Sequence, residues 1–328
     1  MGGERDIHHL NERSGHEKHA YFAQSGLKTK VLNSFRSVFR IGPLEQALRH
    51  RTIGRSSSSL WGRLIPPEYT YPKDSWRAVE WNGLKLKLDL SNANDHGAYF
   101  ALQGTVDATL MAHVKVGDTV IDIGGNIGIY ALTLAQRVMG REGKGREGKG
   151  REGKVITFEP DPKNFARLSE HLALNPGLNI VARNLGIGAD VATHRLYHVV
   201  DSNSGMNRIV TAVDLKSQFP YTDVRVAPLS AALRDIPVDR IDVIKIDVEG
   251  FEGAVLRGSE DVIRRFKPIL FIELNDDNLL ENGDSARALI NHVEAMGYRV
   301  LDGQTELPVP ADQALAHCQF DILCLPNS

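Results

Sequence analysis

The sequence predicts an α/β fold, a doubly wound and mainly parallel sheet preceded by a helical or irregular N-terminal extension. Three observations carry this expectation. From residue 119 onward, short apolar runs that end in polar residues alternate with stretches of helical spacing, the pattern of βαβ units. The first run, Val120 to Ile123, opens into a turn containing Gly124, Gly125 and Gly128, where the backbone can bend sharply and approach a ligand. The ends of the predicted strands collect Asp122, Glu159, Asn184, Asp247, Glu249 and Glu273, and open α/β sheets bind ligands at that edge.

Composition sets the outer bounds. A chain of 328 residues, 42% hydrophobic and 24% charged, can bury a sizeable core and is neither disordered nor fibrous. It contains no run of about eighteen apolar residues, and its first residues lack the apolar core of a secretory signal, so the expectation is a cytoplasmic protein. Cys318 and Cys324 fall at even spacing on a predicted strand, on one face and too far apart to bridge, and read as packing residues.

Residues 1–74 carry twelve Lys/Arg against seven Asp/Glu, with five histidines. A solvated leader is the simpler reading, and the lack of an aromatic ladder argues against a nucleic-acid partner. Leu27, Val31, Phe35, Val38 and Phe39 have helical spacing, interrupted at Pro43. A basic amphipathic helix over 27–40 can make weak peripheral contact with a membrane, although packing on its own domain is the commoner use. The RSSSSL run and Pro66, Pro67 and Pro72 place a boundary near residue 75, separating an extension over 1–75 from a domain over 76–328.

The domain then unfolds in order. Trp76 to Leu90 alternates around Asn82-Gly83, the signature of a hairpin. The stretch from Ala98 to Asp118 has helical character; lying beside the glycine turn, it would make His96, Tyr99 and Phe100 candidates to cap a ligand, with plain packing as the alternative. The strand Thr119–Ile123 follows, then a helix from near Ile127. Three tandem GREGK copies occupy 140–154 and, holding no apolar residue, read as a tolerated surface insertion. Their chance match to GxxxxGK lacks both the preceding strand and the Ser or Thr of a phosphate loop.

Val155–Phe158 is the second buried strand, and the acid after it, Glu159, stands where a carboxylate can accept both ribose hydroxyls. A third strand ends at Arg183 and Asn184, the latter placed to reach an adenine edge or ribose, and Ser204 and Gly205 follow in a loop that can line the site. Ile241, Val243, Lys245 and Asp247 share a strand face, with Glu249 continuing it. A lysine within such a strand needs a charge partner, and Asp247 or Glu249 is nearest. The group is either a structural ion pair or a polar floor to the ligand site. The strand 269–275 ends in Glu273 and Asn275; Asp247, Glu273 and Asn275 offer oxygens of the kind magnesium takes, but such strand ends are common without an ion, and no metal is expected. A helix from Ser285, a sixth strand and a last strand through Cys324 complete the order.

In this order the motifs DIGGNIGIY (122–130), FEPDPKNF (158–165) and IDVIKIDVEGFEGAVLRG (241–258), followed by KPILFIEL, resemble the FkbM family of S-adenosylmethionine-dependent methyltransferases over roughly residues 76 to 325, leaving the basic leader outside. The resemblance implies a class I, Rossmann-like, seven-stranded sheet with its last strand antiparallel. It also implies S-adenosyl-L-methionine as cofactor and O-methylation of a hydroxyl on a sugar or secondary metabolite, a small-molecule or glycan acceptor. By position it implies that Asp122, Gly124, Asn126 and Gly128 form the cofactor turn, that Glu159 grips the ribose, and that Asp247 and Glu249 floor the active site. Gly125, also in the cofactor turn, departs from the alanine more common in the family. The residues themselves agree on one point, since a GxGxxG dinucleotide fingerprint fails at Asn126 and Ile129. Asp247 or Glu249 is the expected proton acceptor, with His96 or His198 as substitutes. The competing readings are an NAD-type dehydrogenase and a non-catalytic scaffold that kept the fold.

Overall fold

The computed structural model describes residues 27–102, 105–140, 152–198, 204–211 and 219–327. Most of the GREGK repeat and residues 201–203 therefore lie outside the described residues, as do the first 26. By contacts the chain divides into two compact units, Met1–Thr105 with His198–Met206, and Val106–Tyr197 with Asn207–Ser328. The division follows the hairpin and does not coincide with the change in composition near residue 75.

In the first unit, α1 (Leu27–Arg36) runs into a 3-10 turn (Ser37–Arg40) and α2 (Gly42–Thr52). Pro43 sits in the first turn of α2, where its missing N–H costs nothing, so it starts a helix as well as ending one. Strands β1 (Trp76–Trp81) and β2 (Leu84–Asp89) pair around Asn82 and Gly83, both at positive φ, as a two-residue hairpin turn of the primed type requires. The continuous helix expected after the hairpin is two: α3 (Ala93–Tyr99) in this unit and α4 (Ala108–His113) in the second. Ala101 takes a left-handed conformation, and Asp107 starts α4 afresh by accepting from Leu110 N–H, an N-cap that the apolar spacing masks. Tyr99 and Phe100 are buried here; the Tyr99 hydroxyl donates to Glu45 at 3.0 Å, and Glu45 is paired with Arg77 at 2.8 Å.

The second unit is the α/β domain. Its chain runs β3 (Thr119–Ile123), α5 (Ile129–Val138), β4 (Lys154–Phe158), α6 (Pro162–Leu174), β5 (Ile180–Arg183), β6 (Gly186–Ile187), β7 (Ala192–Tyr197), β8 (Arg208–Ile209), β9 (Tyr221–Ala227) and α7 (Leu229–Ala232). It continues with β10 (Val243–Ile246), α8 (Glu252–Phe266), β11 (Ile269–Asn275), α9 (Asp276–Leu280), α10 (Ala286–Ala295), β12 (Tyr298–Asp302) and β13 (Gln319–Pro326). A seven-stranded sheet has the order β12-β13-β11-β10-β3-β4-β5. Only β13 runs antiparallel to its neighbours, so the expected class I arrangement holds. Every residue of β3 is buried, as a central parallel strand covered on both faces demands. The sheet is built outward in both directions from β3 and β10, and that reversal opens a crevice at their carboxyl ends.

Strands β7 and β9 do not join this sheet. They pair antiparallel in a four-stranded sheet of order β6-β9-β7-β8, and their half-exposed burial patterns are those of a sheet with one solvated face. Cys324 is buried on β13, Cys318 lies one residue before that strand, and both are free. Among the described residues no helix is long and apolar enough to cross a membrane.

Candidate active site at the carboxyl ends of β3, β4, β10 and β11

The glycine turn after β3 is fixed by its neighbours. Gly124 N–H and Gly125 N–H both donate to Phe158 O, at 3.0 and 2.9 Å. Gly124 has a φ of +90°, and a Cβ there would sit 1.8 Å from the Asp247 carbonyl oxygen, so no side chain fits while β10 approaches this closely. Gly125 has ordinary backbone angles, but a Cβ would lie 2.2 Å from Thr157 Oγ1; the departure from alanine is explained by that threonine. Gly128, at φ +92°, caps α5. Asn126 also takes a left-handed conformation, tolerable for asparagine, and its N–H donates to Glu159 Oε2 at 2.7 Å.

Glu159 closes the turn from the other side. Its Oε1 accepts from Asp161 N–H at 2.8 Å, so one carboxyl ties the β3 turn to the start of α6. Burial pushes it up to about 8, against the pull of the two N–H groups. Asn184 Nδ2 donates to the carbonyls of Glu159 and Pro160, at 2.8 and 3.0 Å. Its amide protons brace this turn, which leaves Oδ1 as the atom able to face an adenine edge or ribose.

Beside the turn runs a row of polar residues set by strand register, since Lys245 stands opposite Asp122 and Asp122 opposite Thr157. Lys245 is 3% exposed; its Nζ lies 3.0 Å from Asp247 Oδ2 and 3.5 Å from Asp122 Oδ1. The Tyr130 ring centroid is 4.6 Å from the same nitrogen, close enough for a cation–π contact. Asp122 Oδ2 accepts from Thr157 Oγ1 at 2.9 Å. Burial lowers the Lys245 ammonium, but Asp247 and Asp122 outweigh it and the net shift is upward. Burial likewise raises Asp122, and there Lys245 and Thr157 offset it only in part. At Asp247 burial is outweighed by Lys245, which holds the carboxyl below its usual range.

A carboxyl cluster adjoins this row. One oxygen each from Asp247, Glu249 and Glu273 lies within 4.8 Å of the others. Glu249 reaches the cluster differently from the way its spacing predicts. Strand β10 ends at Ile246, and Glu249 stands in a left-handed turn at φ +53° instead of continuing the strand face. That turn is held by Glu252, 1% exposed, whose Oε1 accepts from the N–H groups of Val248 and Gly250, each at 3.1 Å. Asn278 Nδ2 donates to Glu249 Oε2 at 3.1 Å. Asn275 is not in the cluster; its side chain caps α9, accepting from Asn278 N–H at 3.2 Å.

Crowding like charges keeps protons on the cluster. Burial first, then Asp247, raises Glu249 to about 8. The same two causes, with Glu249 added, raise Glu273 to about 10, so Glu273 carries a proton near neutrality. Asp321, opposite Glu273 on β13, is raised to about 6 by burial and then Asp247. Chemically the arrangement offers one ionised carboxylate anchored by a lysine, one carboxyl that titrates near pH 8 and one protonated donor. Asp247, Glu249 and Glu273 are the oxygens a divalent cation would use, in place of the set with Asn275 that spacing suggests; Lys245 already supplies the positive charge beside Asp247.

Two expected proton acceptors belong to the first unit. His96 is buried with Nε2 at 2.8 Å from the Pro66 carbonyl oxygen, and burial lowers it; His198 is half-buried. Ser204 and Gly205 form a 3-10 turn there. Spacing did not single out Thr157, Tyr130, Glu252 or Asp321, nor Asp122 as a second partner of Lys245. The pairing of parallel strand ends carries the signal for Asp122 and Thr157, because equal distances from the last apolar residue become lateral neighbours. Nothing comparable in spacing marks Tyr130 or Asp321.

Three comparisons with known proteins bear on this site. The family described as methyltransferase FkbM domain matches residues 122–300, more than half of the chain, from Asp122 on β3 to β12. Methyltransferase 1 of Beauveria bassiana (strain ARSEF 2860) is 27% identical over 196 residues, 55% of this chain and 72% of that protein. Methyltransferase sdnD of Sordaria araneosa is 26% identical over 180 residues, 46% of this chain and 64% of that protein. The crystal structure of methyltransferase FkbM from Methylobacillus flagellatus KT aligns at 16% identity and a TM-score of 0.39, covering 88% of this chain and 62% of that one.

Proposed function

The chain belongs to the FkbM methyltransferase family, and on that basis we propose that it transfers a methyl group from S-adenosylmethionine to a hydroxyl of a sugar or secondary-metabolite acceptor. One observation carries the reading. The carboxyl ends of adjacent strands β3 and β10 set a glycine turn closed by Glu159 directly beside the Asp247, Glu249 and Glu273 cluster. The residues fit such a cofactor. Gly124 leaves no room for a Cβ beside the Asp247 carbonyl, which keeps the turn backbone bare, and Asn126 Oδ1 is a buried acceptor with no donor among the described residues. Together with the Glu159 carboxyl, it suits a ligand rich in hydroxyl and amino donors.

S-adenosylmethionine, when bound, supplies a methyl group made electrophilic by a sulfonium. Asp122, Gly124, Gly125, Asn126, Gly128, Glu159 and Asn184 are the residues that would hold it. The protein's own task is then to orient an acceptor hydroxyl and take its proton. Glu249 fits the second role. Its carboxyl titrates near pH 8, close to the working pH that makes a general base effective. Asp247, ionised and pinned by Lys245, orients the hydroxyl and favours a positive centre nearby. Glu273, raised to about 10 by burial and then Asp247, stands beside Asp247 as a protonated carboxyl near neutrality.

Calorimetric titration of S-adenosylhomocysteine, followed by mass spectrometry of hydroxylated acceptors for a gained methyl, tests the reading. Glu159→Ala and Asp122→Ala should weaken cofactor affinity; unchanged affinity in both removes the cofactor site. Glu249→Gln should lower turnover with cofactor affinity retained and abolish the rise in rate toward pH 8. Full activity in that variant removes the proposed base.

A further inference from the structure

The N-terminal helices of the first unit are turned inside out. Amphipathic helices ordinarily bury their apolar stripe, yet the residues of α1 and α2 that face inward are largely polar. Asn33 is 5% exposed and donates to the Tyr69 hydroxyl at 3.0 Å. Arg36 donates to Arg63 O at 2.7 Å and Asn33 Oδ1 at 3.1 Å. Glu45 is 1% exposed in its pair with Arg77. The apolar side chains point the other way: Val31 is 63% exposed, Phe35 57% and Ile41 57%, with Leu32, Val38 and Leu44 also exposed. Val31 and Phe35 follow the i, i+4 line of α1, and Val38 stands exposed in the 3-10 turn after it. A stripe of this kind in water is unfavourable in proportion to its area, and patches of this kind mark interaction surfaces.

Charge identifies what covers it. Between residues 27 and 63 there are eight Lys/Arg and one acidic residue, Glu45, and Glu45 is buried. The segment therefore presents no exposed carboxylate, while Lys30 stands exposed beside Val31. Two copies apposed through this face would bring like charges together, which counts against a second copy of the chain. An apolar stripe flanked by cations alone complements a surface with an apolar interior and an anionic skin. The helix is too short to cross a bilayer, so it would lie in the interface plane.

We propose that the outward face of α1 and the turn after it, Val31 to Ile41, docks on an anionic phospholipid bilayer. The inference is independent of the methyl-transfer chemistry. The test is co-sedimentation of the full chain with phosphatidylcholine vesicles, with and without phosphatidylserine, at low and high salt. The full chain should pellet with the phosphatidylserine vesicles and be released by salt. The double variant Val31→Asp, Phe35→Asp should partition about tenfold or more weakly, as withdrawing a valine and a phenylalanine from an apolar phase implies. Lys30→Glu should weaken binding to the anionic vesicles alone. Both side chains replaced in the double variant face outward, so its thermal unfolding should match that of the parent chain. A full chain that stays in the supernatant with anionic vesicles overturns the proposal, as does a double variant that pellets like the parent. So does a lipid-free dimer in analytical ultracentrifugation that the double variant disperses, because the face would then belong to a second copy.

Discussion

Replacing Lys245 by methionine tests whether the buried ion row is held together by this one cation. The Lys245 side chain is 3% exposed, its nitrogen bridges Asp247 at 3.0 Å and Asp122 at 3.5 Å, and Asp122 is fully buried. Removing one partner of a buried pair typically costs about 3–5 kcal/mol because a charge is left uncompensated. The structure sets a ceiling on the Asp122 share, since that carboxyl can take up a proton instead. Protonating a group with an unfolded pKa of about 3.9 costs roughly 4 kcal/mol at pH 7 and roughly 1.5 kcal/mol at pH 5. Burial already raises Asp122 above its unfolded value in the parent chain, and in Lys245→Met, without the offsetting ammonium, it is raised further. Its folded state then binds more protons, and stability is held at low pH and lost as pH rises from about 4 toward 7. Urea denaturation followed by circular dichroism should therefore show a loss of about 3–4 kcal/mol at pH 7 that shrinks to about 1–2 kcal/mol at pH 5. Adding Asp122→Asn should recover most of the loss at pH 7, because the amide oxygen still accepts from Thr157. A single variant that loses less than about 1 kcal/mol at pH 7, the usual worth of an exposed pair, refutes the reasoning. So does a loss that is the same at both pH values.

Other parts of the site yield sharper comparisons. Gly124→Ala should destabilise by more than about 3 kcal/mol in the same assay, since it meets both a φ of +90° and a carbonyl oxygen at 1.8 Å. Gly125→Ala should cost about 1–3 kcal/mol, and Thr157→Ser should relieve part of it by freeing the hydroxyl to rotate; strict additivity of the two changes would contradict the clash. Glu159→Gln should cost about 1–3 kcal/mol, because an amide nitrogen cannot accept from either Asn126 or Asp161 and one buried N–H is orphaned. Glu273→Gln should be nearly neutral at pH 7, where the wild-type carboxyl, raised to about 10, is already uncharged, while Glu273→Ala should be clearly destabilising; equal losses would show that Glu273 is ionised.

The sheet was legible because its determinants are local. Buried parallel strands read as short apolar runs bounded by turns, and β3, β4, β5, β10 and β11 appear at the predicted positions. The expected seven strands are the seven of the main sheet, while the separate β6-β9-β7-β8 sheet was not legible, since pairing partners are not written in a single strand. The helical lead-in failed at Ala101 and Asp107 for a related reason. Apolar spacing runs on through a stretch whose backbone reverses, and the signal that breaks it is one capping side chain.

The site shows where pattern stops short. Asp122, Glu159 and Asp247 could be placed because a strand end fixes both height and face, and Lys245 could be recognised as needing a carboxylate because it sits in an apolar strand. Its second partner, Asp122, required knowing that β10 lies beside β3, which depends on the winding of the whole sheet. Glu249 is the most instructive. Alternation put it on the right side for the wrong reason, since the strand has already ended and only the left-handed turn, held by Glu252 through Val248 and Gly250, swings it back toward Asp247. A non-glycine residue at φ +53° is held there at a cost by its surroundings, and two buried carboxyls of raised pKa supply and surround it. The strain and part of the proton affinity of Glu249 thus share an origin. Burial is the larger cause of its rise to about 8 and Asp247 the next, so loosening the turn through Glu252→Gln should move Glu249 away from Asp247 and lower its titration by the part that Asp247 supplies. A pH–rate profile that keeps its limb near 8 in Glu252→Gln would show that burial alone, without the turn, sets the proton affinity.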